Sequence, residues 1–103
     1  MTNFGLPEKT IILINNLFAS FDEIIEVKIF GSRAKGNFKN GSDIDFAVTG
    51  NINDKFIRHI AAQLDELSTP YKFDIVNYND INNSALKQNI DKKGKTFYKK
   101  TGI

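Results

Sequence analysis

Between Phe30 and Val48 the chain reads FGSRAKGNFKNGSDIDFAV, and its closing DIDFAV sets the tightest condition on the fold. Side chains alternate across a β-strand, so Asp43 and Asp45 project from one face while Ile44 and Phe46 point to the other. Charges placed in an otherwise buried strand are costly, and they rarely persist without a partner such as a metal ion. Two neighbouring carboxylates also repel, which raises the pKa of one unless a cation lies between them.

The flanking sequence supplies the elements around this strand. Residues 7–20 predict an amphipathic helix, with Pro7 at its first position, Glu8 in its first turn, and Ile11, Ile14, Leu17, Phe18 and Phe21 at helical spacing. Ile12 and Leu13 widen the apolar face and predict contact on two sides. IIEVKIF, residues 24–30, is rich in β-branched residues and reads as a strand. Gly31 ends it, Ser32 is placed to cap a short helix through Lys35, and Gly36 stops that turn. Residues 36–42 form a loop with the Asn40-Gly41 turn signal, and DIDFAVT is the second strand. Asn53 or Asp54 caps a helix to about Leu67, with Phe56, Ile57, Ile60, Ala61, Leu64 and Leu67 as its buried stripe. In YKFDIVNY, Tyr71, Phe73 and Ile75 alternate with Lys72, Asp74 and Val76, which predicts a third strand. Asp80 is the expected cap of a last helix to about Ile90, with Gly94 beyond it. The expected fold is thus a small α/β (α+β) domain, 1–103, with a mixed sheet of about three strands and helices packed on it. Direction must change in that sheet, because the 36–42 loop is too short for a parallel crossover.

Composition narrows the chemistry. The 103 residues contain no cysteine, which excludes disulfides and thiolate zinc sites and gives no sign of an oxidising compartment. No leader-like or membrane-length apolar run is present, so a soluble, cytoplasmic protein is expected. The net charge of +2 is uneven: residues 91–103 hold five lysines against Asp91, and the other ninety residues sum to −2. A single terminal cluster is not the broad positive field of a nucleic-acid binder, so the lysine-rich end reads as a solvated terminus and direct nucleic-acid binding is not expected. His59, the one histidine, reads as structural or surface, and Phe38 and Lys39 as exposed loop.

Asp43 and Asp45 suit a hard divalent ion such as Mg²⁺, which takes oxygen ligands and typically one or two carboxylates plus substrate phosphates. Asp74 is a third acid, in the middle of the apolar stretch KFDIV, and it joins the pair if strand three lies beside strand two. Three acids would serve a two-metal site. Gly31-Ser32, where strand gives way to helix, suits a phosphate, with Arg33 and Lys35 near enough to add charge. Ser42 is a candidate phosphate contact or the cap of the turn before Asp43. Carboxylates and cradle together describe a nucleoside-triphosphate site, and the spacing is not that of a Walker A loop.

Gly31-Ser32, ten intervening residues, then Asp43-Ile44-Asp45 resembles the signature of the nucleotidyltransferase superfamily that includes DNA polymerase beta. The wording GSRAKG…SDIDFAV is similar to that of its minimal nucleotidyltransferases. The resemblance implies the nucleotidyltransferase fold, with Asp43, Asp45 and Asp74 as catalytic metal ligands (Asp74 as ligand or base) for Mg²⁺, two ions in the full site. It also implies that Gly31 and Ser32 hold the triphosphate of ATP or another nucleotide. Minimal members commonly pair with a helical HEPN-type protein, several such pairs being toxin–antitoxin modules in which AMP passes from ATP to a tyrosine of the partner. A hetero-oligomer or a homodimer follows as an expectation, with the present chain as antitoxin. A different class of function also fits a domain this small: a non-catalytic or regulatory nucleotide-binding module that masks a helical partner.

Overall fold

The computed structural model describes residues 3–101. Its elements run α1 (Glu8–Ala19), β1 (Ile24–Phe30), α2 (Ser32–Lys35), β2 (Ile44–Gly50), α3 (Asp54–Asp65) and β3 (Phe73–Asn77). A 3₁₀ turn (Tyr78–Asp80), α4 (Ser84–Lys93) and β4 (Lys95–Lys99) complete the chain. The sheet order is β3-β2-β1-β4. β1 is antiparallel to both neighbours, as the short 36–42 loop requires on the β2 side. β3 runs parallel to β2, and the intervening α3 supplies the crossover.

The mixed α/β class is as expected, but there are four strands rather than about three. The lysine-rich end, read as a solvated terminus, instead forms β4 on the edge of β1. Only Phe97 of its five residues is buried, so it lacks a clean apolar alternation. Two caps also differ from expectation. Ser32 is the first residue of α2 and makes no capping hydrogen bond, since Gly31 occupies the cap position. Asp80 ends the 3₁₀ turn, and Asn83 caps α4 by accepting from the Leu86 N–H at 3.0 Å. Asn53, rather than Asp54, caps α3 by accepting from the Phe56 N–H at 2.9 Å.

Two cores sandwich the sheet. The larger joins Ile14 and Phe18 of α1 and Ile60 and Leu64 of α3 to Val27, Ile29, Ile44, Phe46 and Val48. Phe46 is its hub, with ring centroids 5.2 Å from Phe18, 4.9 Å from Phe97 and 6.2 Å from Phe73. The smaller core, on the opposite face, packs Ile90 and Leu86 of α4 on Phe30, Ala47 and Val76. Ile12 and Leu13 of α1, expected to make a second contact, stay exposed at 52% and 37%. No described helix is long and apolar enough to cross a membrane.

Truncating Phe46 to alanine opens a cavity among three other rings and lowers stability by about 3–5 kcal/mol. Urea unfolding measures the loss, and a change below about 1 kcal/mol would contradict the central place given to this ring.

Candidate active site

The seating of Phe46 dictates where the acids go. With Ile44, Phe46 and Val48 turned to the larger core, Asp45 and Ala47 must turn to the face that carries α4. On β3, Phe73 and Ile75 pack on the larger core and Val76 on the smaller, so Asp74 shares the Asp45 face. The parallel register then pairs Asp45 directly with Asp74. Asp43 stands one residue before β2, exposed to solvent. The three acids singled out in the sequence thus meet at one end of the sheet.

Their mutual charge is visible at Asp45. Burial pushes its carboxyl above the ordinary value, and the charges of Asp74 and Asp43 push it the same way. No counter-cation relieves them by a salt bridge among the described residues, where the one ion pair joins Lys100 to Asp22 at 2.9 Å. An all-oxygen set of this kind suits Mg²⁺, which keeps several waters and completes its shell with substrate phosphates. Among the described residues no three Asp, Glu, His or Cys side chains form a group that could hold a metal ion by themselves, so other oxygens, such as substrate phosphates and water, would have to complete the shell.

Gly31 adjoins the carboxylates from the next strand. Its φ of 76° is one that other residues rarely adopt, and a Cβ there would run into the Asp45 carboxylate. The backbone N–H groups of Ser32 and Arg33, which open α2, have no hydrogen-bond partner among the described residues. Gly31 therefore joins two requirements at one atom, a positive-φ backbone and room for an acid.

Arg33 is placed differently from the phosphate contact the sequence suggested. Its side chain is buried, with Nε and Nη2 donating to the Ser42 carbonyl at 3.2 and 3.0 Å and Nη1 to the Phe4 carbonyl at 2.9 Å. The guanidinium also lies 5.0 Å from the Phe38 ring centroid and 5.1 Å from that of Tyr71. Arg33 thus fastens the N-terminal segment to the loop that leads into Asp43. Ser42 belongs to the same fastening, and its Oγ accepts from the Lys39 N–H at 2.8 Å, closing the turn. Phe38, read as exposed loop, is part of this clamp. Nothing local in RAKGNFK marks that role, because the partner carbonyl of Phe4 is 29 residues away. His59 is exposed and sits edge-on to Phe21 at 5.7 Å, on α3, which packs on the sheet face opposite the one that carries Asp45 and Asp74.

A family model described as Polymerase beta, Nucleotidyltransferase matches residues 13–102. No curated protein matches the sequence. Among solved structures, the fold is similar to that of a toxin–antitoxin crystallised with AMP-PNP, with a TM-score of 0.70 and 22% identity over 93% of this chain and 76% of that one. It is also similar to a chain of the tri-AMPylated Shewanella oneidensis HEPN toxin in complex with MNT antitoxin, with a TM-score of 0.68 and 19% identity over 90% and 72%. A third similar structure is the MntA–HepT toxin–antitoxin, at 0.68 and 18% over 91% and 74%. At these identities the likeness establishes the fold alone.

Two outcomes follow from the acid cluster and its glycine. Gly31→Ala costs about 1–3 kcal/mol from the backbone conformation alone, with a further loss from displacing Asp45, measurable by thermal or urea unfolding. Asp45 binds its proton more tightly folded than unfolded, so its contribution to stability falls as pH rises through the interval between those two pKa values. Asp45→Asn therefore stabilises the divalent-free protein at neutral pH, and the gain vanishes on acidification below that interval. Unfolding titrations from acid to neutral pH check this, and a gain that is independent of pH would refute it.

Proposed function

The chain belongs to the polymerase beta nucleotidyltransferase family, and from that premise we propose that it transfers a nucleoside monophosphate, AMP from ATP, to an acceptor on a HEPN-type partner protein. The observation that carries this reading is the register pairing of Asp45 with Asp74, on the face and at the end of the sheet where Gly31 adjoins Asp45. The similar structures support the nucleotide and the partner, since one is a toxin–antitoxin with AMP-PNP and another an AMPylated HEPN toxin with an MNT antitoxin. The pair acts as a hetero-oligomer in this reading, with the present chain as antitoxin.

Each residue's work follows from its chemistry. Asp43 and Asp45 hold Mg²⁺, and Asp74 completes the oxygen set or takes the acceptor's proton. Bound there, the ion supplies charge neutralisation of the triphosphate and Lewis-acid activation at the α-phosphorus. The unpaired N–H groups of Ser32 and Arg33 and the Ser32 hydroxyl receive phosphate oxygens of the departing side, and Gly31 lets them approach the backbone. Attack in line with that leaving group brings the acceptor in from the side opposite Gly31-Ser32, toward β3. The Arg33 side chain and Ser42 act on this site indirectly, by holding the loop that presents Asp43.

The test is transfer of label from α-labelled ATP, with Mg²⁺, to a helical HEPN-type protein drawn from the reading frames adjacent to this chain's own. Wild type labels the partner, and the Asp43→Asn, Asp45→Asn double variant loses at least about 100-fold in rate. Absence of transfer by wild type, or equal transfer by the double variant, refutes the proposal. The same variant also fails to neutralise its partner if catalysis is the means of protection. Full neutralisation would instead identify masking as the function.

A further inference from the structure

An open groove of about 560 Å³ is lined by Ala34, Lys35, Lys92, Lys93 and Lys95. Four lysines from three elements line it, and among the described residues no carboxylate does. The nearest acid in sequence, Asp91, is engaged elsewhere, accepting from the Tyr78 hydroxyl at 2.6 Å. None of the four lysines forms a salt bridge among the described residues. Lys92 and Lys93 have a local reason to be present, since they sit in the last turn of α4, where the helix dipole favours cations. Lys95 has another, because lysines on an edge strand discourage further pairing. Lys35 likewise ends its own helix, α2, and the groove gathers it with lysines of two other elements.

The position of the groove points to its ligand. Lys95 pairs with Ile29, and Phe30 pairs with Asp45, so the lysines flank the same end of the sheet as the acids. Strands lie roughly 5 Å apart, and across that end the order is Asp74, Asp45, the Gly31-Ser32 turn, then Lys95. Acid gives way to base along one line, with the phosphate-receiving turn between them. The groove is on the leaving-group side of the turn, and the acceptor enters from the other.

We propose that this lysine groove binds the terminal phosphates of the nucleotide and receives pyrophosphate as it departs. The inference rests on the nucleotidyl-transfer reading above and adds to it a dedicated anion site made by Lys35, Lys92, Lys93 and Lys95. Lysine suits this task because its ammonium is a mobile point charge that follows a phosphate as it leaves, with no fixed fork to release. The consequence is discrimination by phosphate-chain length: tripolyphosphate and ATP engage the groove, and AMP does not reach it.

Inorganic tripolyphosphate is the probe, titrated calorimetrically into the full chain without divalent ions, so that the result does not depend on catalysis. Wild type binds it, and Lys92→Gln/Lys93→Gln/Lys95→Gln binds roughly tenfold or more weakly, while AMP binding is unchanged. A control with the same charge change on other surfaces, Lys9→Gln/Lys55→Gln/Arg58→Gln, retains wild-type affinity. Circular dichroism establishes that both variants are folded, as expected for exposed positions. Equal tripolyphosphate binding by wild type and the groove variant overturns the proposal, as does an equal loss in the control. A groove variant that loses only single-stranded RNA binding, with tripolyphosphate unaffected, overturns it in favour of a nucleic-acid surface. If lysine-dependent tripolyphosphate binding stands while labelled ATP yields no transfer, the groove survives and the transfer reading fails.

Discussion

Phe46 lies at 0% exposure among the rings of Phe18, Phe73 and Phe97, and alternation along β2 makes that seating decisive for everything around it. A ring held there leaves Asp45 no choice of face. A slip of one residue would bury two carboxylates and expose Ile44, Phe46 and Val48, a change too costly for a chain of this size. The aromatic core therefore acts on the acids without touching them, and β3 inherits the same constraint through Phe73 and Ile75. The pairing of Asp45 with Asp74 is the outcome of two strands each sealing the opposite face.

Electrostatics adds direction to this scaffold. The acids repel one another and hold the Asp45 carboxyl above its ordinary pKa, while the lysines of α2, α4 and β4 line a groove at the same end of the sheet. With no cation between them, the acids weaken the fold. A magnesium–triphosphate complex carries the complementary pattern, cation at one end and anion at the other. On the reading proposed above, the stability that the acids withhold from the free protein would return as binding energy for such a ligand.

Much of this was legible in the residues, for identifiable reasons. DIDFAV and FDIV state their faces by strict alternation, and Gly31-Ser32 announces its turn by chemistry that few other pairs offer. The 36–42 loop fixed the antiparallel direction by length alone. β4 was not legible, because KTFYK carries two lysines around one buried ring and depends on a free edge of β1 far away in sequence. The cap of α4 was ambiguous locally, since Asp80 and Asn83 are both competent and only packing chooses between them. Arg33 was misjudged for a different reason: beside a phosphate turn an arginine suggests phosphate, and the backbone carbonyls that engage it come from outside its own helix.

That arginine has a dynamic consequence. Residues 4–6 reach the body of the protein through the Phe4 carbonyl on Arg33, the Gly5 backbone against the Phe38 ring, and the fully buried Leu6. Arg33 in turn grips Ser42, the residue before Asp43. The N-terminal segment and the acid-bearing loop accordingly form one cooperative unit for local opening. Amide protons of both should exchange together, so that opening at residues 4–6 is felt as mobility in the loop that presents Asp43.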